Sequence, residues 1–146
     1  MPSQKLNEAT REEWRALGFF YDRDDDSKRW RVVGSVDGLR KFAELIRDYA
    51  NNPKNDSLSQ HAHFGPYMYL EIGTWSQPEI NDHWIAGPLQ DLSSLASAIK
   101  NAVGHAKVGQ CVSMREGFAA NSPYDLVLEM RDKLFDPAEE DPQCWK

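Results

Sequence analysis

From Gly34 to Ala50 the apolar residues recur every three or four positions, the spacing that lines up one face of an α-helix. The pattern returns without a gap from Gly87 to Val103. In that register apolar residues meet at eight positions: Val36/Leu89, Leu39/Leu92, Phe42/Leu95, Ala43/Ala96, Leu45/Ala98, Ile46/Ile99, Tyr49/Ala102 and Ala50/Val103. Each run follows a short apolar segment and a Gly turn, so one strand, turn and amphipathic helix is read twice along the chain. A second match lies downstream, where Pro66–Ile72 faces Pro123–Met130.

The opposite faces of the two helices differ. Asp37, Arg40, Lys41, Glu44, Arg47 and Asp48 give the first a charged, solvated surface. Gln90, Asp91, Ser93, Ser94, Ser97, Lys100 and Asn101 leave the second mostly small and nearly uncharged. Such a face is either an exposed surface of lower polarity or a place where another chain or element comes close.

Outside the repeat, Thr10-Arg11-Glu12-Glu13 fits a capping box and predicts a short helix ending near Leu17 at Gly18. Phe19–Tyr21 and Trp30–Val33 flank the polar run Asp22–Arg29, whose short acidic residues predict a β-hairpin. Asn51–Asp56 predicts a surface loop and His61–His63 a short strand. Tyr67–Trp75 predicts a longer strand, with Met68, Leu70 and Ile72 on one face and Tyr67, Tyr69, Glu71 and Gly73 on the other. Pro88 is placed in the first turn of the second helix, where its missing N–H costs nothing. Strands over 110–115 and 124–131 precede an irregular tail, 132–146, anchored by Phe135 or Trp145. The order predicts an α+β fold in one domain spanning residues 1–146. It has a short N-terminal helix, an internal βαββ repeat over about 30–75 and 83–131, and a largely antiparallel sheet with both main helices on one face.

A length of 146 residues is enough for a core without staples. The formal net charge of -6 argues against a nucleic-acid binder, which needs clustered Lys and Arg. Cys111 and Cys144 have no metal-site or redox spacing and are read as reduced thiols of a cytoplasmic protein. No stretch has the pattern of a leader or a membrane span, so no membrane partner is expected.

Among residues that carry chemistry, His61 and His63 are the best metal-ligand candidates, because strand positions two apart face the same way. A metal site needs more ligands, and Asp56, Asp82 and His83 join only if the tertiary fold brings them together. Neither cysteine nor any serine sits in a nucleophile's sequence context, and the Gly34-Ser35 and Gly87-Pro88 turns lack phosphate-loop spacing. The expectation is no catalytic residue, no metal and no cofactor. Trp30 and Trp84 are expected in the core, whereas Trp75 ends its strand beside a polar loop, where an aromatic anchor suits a binding surface.

The run Gly34-Ser35-Val36-Asp37-Gly38-Leu39, the helix Phe42–Ile46, His61-Ala62-His63 and the strand Tyr67–Ile72 together resemble the immunity protein 32 family of bacterial polymorphic toxin systems. The resemblance spans about a third of the chain and transfers no functional residue. It implies a cytoplasmic protein that neutralises a partner toxin by stoichiometric binding, without turnover. An acidic surface would steer it toward a basic partner such as a nuclease. The expected partner-binding rim is Asp24, Asp25, Asp26, Trp75, Glu79 and Asp82, all in predicted loops. Two other classes compete: a self-associating structural or regulatory domain, a homodimer through the quiet second helix, and a small enzyme built on His61, His63 and Asp82.

Overall fold

The computed structural model of the chain describes residues 4–145, and the side chains of residues 7–143. In chain order the elements are α1 (Gln4–Leu17), β1 (Phe20–Asp24), β2 (Arg29–Gly34), α2 (Val36–Asn51), β3 (His61–Phe64), β4 (Leu70–Thr74), β5 (Glu79–Ile80), β6 (Ile85–Gly87), α3 (Leu89–His105), β7 (Cys111–Ser113) and β8 (Asp125–Met130). The fold class is α+β.

Burial follows the repeat. Leu39/Leu92, Phe42/Leu95, Ala43/Ala96, Ile46/Ile99 and Ala50/Val103 are buried in both copies. The helices pack on each other more extensively than any other two elements, with α2 also against β2 and β8 and α3 against β6. Their starts differ. Ser35 caps α2, its hydroxyl accepting from the Gly38 N–H at 3.2 Å. Pro88 is itself the cap residue of α3, one position ahead of the expected first turn, and makes no side-chain cap bond.

The strands form two four-stranded sheets, β1-β2-β8-β7 and β3-β4-β6-β5, rather than the single sheet expected. Four of the pairings are antiparallel, and the two central ones, β2 with β8 and β4 with β6, are parallel. Each sheet takes the first hairpin of one repeat and the second hairpin of the other. Residue alternation tells which face of a strand is buried but not which strand lies beside it, so the exchange is invisible in the pattern. The registers also adjust the repeat. Val32 opposes Leu128 and Ile85 opposes Ile72, so Ile72 corresponds to Leu128 rather than Met130. With β1 and β5 included, the repeated unit is ββαββ and starts earlier than 30 and 83.

Two local expectations are corrected. Helix α1 begins at Gln4, so Thr10 lies inside it and forms no capping box. Packing holds its C-terminal half: Trp14, 2 % exposed, sets its ring 4.9 Å from Phe20 and 5.1 Å from Tyr21. It ends as expected at Gly18, whose φ of 91° is the left-handed conformation that lets its N–H return to the Trp14 carbonyl. The 67–75 strand starts only at Leu70, because Tyr67 and Met68 take φ of 67° and 59° in a turn after Gly65. Met68 is exposed in consequence, not aligned with Leu70 and Ile72.

The tail is a coat, as expected. Two short 3-10 turns, Pro137–Glu140 and Pro142–Trp145, lie along α1, and Phe135 packs against the core. The expected anchor Trp145 and the thiol of Cys144 lie outside the described side chains. Arg15 clamps the tail by donating to both oxygens of Asp136 at 2.9 and 3.2 Å. That hydrogen bond holds the Asp136 carboxyl below its ordinary range. A carboxyl lowered in the folded state stabilises it fully above the ordinary aspartate range and loses this as pH falls through the lowered value. On acidification, amides near Ala138 should gain hydrogen exchange before those of the core, and Asp136→Asn should remove that pH dependence.

Candidate functional site

Alternation along β4 turns Leu70 and Ile72 inward and Glu71 to the outer face of the second sheet. Glu71 is nevertheless only 3 % exposed. The antiparallel register sets His63 opposite Glu71 and His61 opposite Gly73, so both imidazoles lean over the carboxylate. Their Nε2 atoms lie 3.1 Å (His63) and 3.7 Å (His61) from Oε1. From the turn between β5 and β6, His83 brings its Nε2 to 2.8 Å from Oε2. That contact has the distance of an ion pair but not the alignment of a hydrogen bond, and Oε2 is buried without a donor.

The other ring nitrogens are fixed. His61 Nδ1 lies 2.9 Å from the Ser59 carbonyl and His63 Nδ1 3.0 Å from the Met68 carbonyl. A carbonyl only accepts, so each Nδ1 carries the proton and each Nε2 of a neutral ring presents its lone pair toward Glu71. Both carbonyls belong to non-glycine residues with positive φ, Ser59 at 72° and Met68 at 59°. The carbonyls that orient the imidazoles thus sit where the backbone is strained.

Trp84 covers the neighbouring position. A Cβ on Gly73 would meet the Trp84 ring at 2.3 Å, so glycine is what lets the indole lie flat on the strand. Trp84 is buried, as expected, yet it lies on this outer face and is no member of the apolar core cluster, unlike Trp30. Trp75 and His83 pack against it with ring centroids 5.6 and 5.4 Å away. The expected enzyme set is only partly assembled. His61 and His63 converge, but Asp82 offers its backbone carbonyl to Arg23 instead, and the carboxylate in the cluster is Glu71.

The acidic rim is tied to the same turn. Asp24 accepts from the Asp26 and Ser27 amides and shapes the hairpin tip. Arg23 pairs with Asp25 at 2.7 Å and reaches the Asp82 carbonyl, so the tip and the β5–β6 turn adjoin. Hydrogen bonds from Arg23 and then Tyr124 hold Asp25 below its ordinary range. Donating to Asp25 at 2.7 Å pushes the Tyr124 phenol up to about 12. Glu79 accepts from the Asn81 side chain, and the Asn81 carbonyl accepts from the Trp30 indole at 2.8 Å. Trp75 stands 36 % exposed beside Trp84. Of the seven exposed large apolar side chains among the described residues, five (Leu58, Tyr67, Met68, Tyr69 and Trp75) fall in the segment that carries β3 and β4. Next to them runs a groove of about 580 Å³, lined by Phe20, Tyr21, Trp30, Tyr67, Tyr69 and Asp141.

The quiet face of α3 is approached by α2. Arg47 donates to the Ser97 hydroxyl at 3.2 Å, and Glu44 pairs with Lys100. No helix among the described residues is long and apolar enough to cross a membrane. Compared with protein-family models, with curated proteins and with solved structures, the chain has no match.

Proposed function

We propose that this chain is a stoichiometric protein-binding protein of the immunity type, which neutralises a toxin by covering it with the outer side of its second sheet and the adjoining acidic rim. The observation that carries this reading is the gathering of exposed apolar side chains around β3 and β4, beside the acidic hairpin tip. Exposed apolar side chains bordered by charge are the make-up of an interaction site. Rim carboxylates steer a basic partner and act on association, while a half-buried indole supplies affinity.

The test is binding and neutralisation with a partner captured from the native host and then purified. An equimolar complex should suppress the partner's toxicity. Trp75→Ala should weaken it by about 2 kcal/mol or more. Replacing Asp24, Asp25 and Asp26 with Asn should slow association and flatten its salt dependence. Kinetics of both variants equal to wild type at low and high salt would move the surface elsewhere, and a complex that leaves the partner toxic would end the immunity reading.

A further inference from the structure

We propose that His61, His63 and Glu71 form a site for one divalent transition-metal ion of the zinc class, with His83 beside the second carboxylate oxygen. Nothing in this depends on the toxin reading. One ligand atom from each of the three residues lies within 4.8 Å of the other two. A tetrahedral ion with bonds of about 2.0–2.1 Å needs ligand atoms about 3.3–3.4 Å apart. The observed separations of 3.1 and 3.7 Å from Glu71 Oε1 bracket that value. The imidazoles are the ligands left to adjust, each by a small tilt about its Nδ1 bond.

Four features point to a ligand rather than to incidental crowding. Two imidazole lone pairs directed at a carboxylate repel it unless a proton or a metal ion stands between them, and a metal ion can serve both at once. Each ligating nitrogen is backed by an Nδ1–H to a backbone carbonyl, the outer-shell bond that orients metal-bound histidine. The carboxylate is buried, one oxygen lacks a donor, and among the described residues no Lys or Arg pairs with it. A buried carboxylate left so is costly. Finally, the other sheet supplies an internal control. At the positions equivalent to His61, His63 and Glu71 it carries Cys111, Ser113 and Val127, so this architecture closes without any such cluster. Two imidazoles and one carboxylate suit zinc, and three protein ligands leave the fourth tetrahedral position open.

The full chain, purified without a histidine tag and stripped with chelator, should compete with a chromophoric zinc indicator for one equivalent of metal. Cobalt(II) in its place should give visible bands of tetrahedral strength and no thiolate charge-transfer band. His61→Ala and His63→Ala should each lose more affinity than the about 10–100-fold expected for His83→Ala, an outer-shell change. Both substitutions fall on exposed side chains, and circular dichroism should stay that of wild type. Glu71→Gln, which keeps the side-chain shape, should lose affinity as the histidine variants do. The proposal is overturned by a wild-type chain that does not compete, by one equivalent that survives either histidine change or Glu71→Gln, or by a thiolate band placing the metal at Cys111 or Cys144.

Discussion

Replacing Trp14 with alanine should destabilise the protein by about 3–5 kcal/mol, the cost of removing a large buried aromatic from a site that cannot collapse. The indole is 2 % exposed, touches the Phe20 and Tyr21 rings, and donates from Nε1 to Asp141 at 2.9 Å. Asp141 is itself only 3 % exposed and also accepts from the Tyr67 hydroxyl at 2.7 Å. One side chain thus joins α1, β1, the tail and the turn before β4. Trp14→Phe separates the contributions: it keeps most of the ring packing and loses one hydrogen bond to a charged acceptor that Tyr67 still serves, at about 1.5–3 kcal/mol. Urea unfolding of the three proteins is the measurement. A Trp14→Ala unfolding free energy within about 1 kcal/mol of wild type would mean that α1 and the tail contribute little to the cooperative unit.

The second large effect is expected at Gly38, where two influences of opposite sign meet. Alanine inside a helix is favoured over glycine by about 1 kcal/mol. A Cβ at Gly38, however, would lie 2.2 Å from the Gly18 carbonyl oxygen, a backbone atom that cannot rotate away. Relieving that contact means moving the end of α1 away from the first turn of α2, so Gly38→Ala should cost about 3 kcal/mol net. Gly104 is the control: a Cβ there meets nothing within 4 Å, and Gly104→Ala in the last turn of α3 should stabilise by up to about 1 kcal/mol. Equal shifts of the same sign in both variants would show that helix propensity, not the approach of Gly18, decides at Gly38.

The helices, their buried faces and the hairpin tip were legible because they are local: intervals of three and four, and short acidic turn residues, need no knowledge of distant neighbours. The division into two sheets was not, since it depends on which hairpins meet. Helix α1 was misjudged for a related reason. Thr10 has a cap's sequence but lies within a helix that Trp14 and the tail support. His61 and His63 were visible as a pair, whereas Glu71 looked like one more solvated strand position. Pairing His61–His63 with the expected strand from Tyr67 sets His63 opposite Tyr67; only the wider turn that delays the strand to Leu70 sets it opposite Glu71. His83 comes from a turn in the other repeat, beyond the reach of any local pattern.

The exchange of hairpins between the repeats has a consequence for how the chain is made. Neither half holds a complete sheet, so synthesis of the first repeat leaves β2 and β4 with one edge each unpaired. The edge of β2 waits for β8, and the Arg31–Glu129 bridge across that seam joins residues 98 apart in sequence. Contacts that distant slow folding, and this seam closes only once β8 has been made. Until then both half-sheets expose strand edges that a second nascent copy matches as well as the chain's own second half does, and the symmetry that builds the native fold makes a domain-swapped dimer its natural competitor.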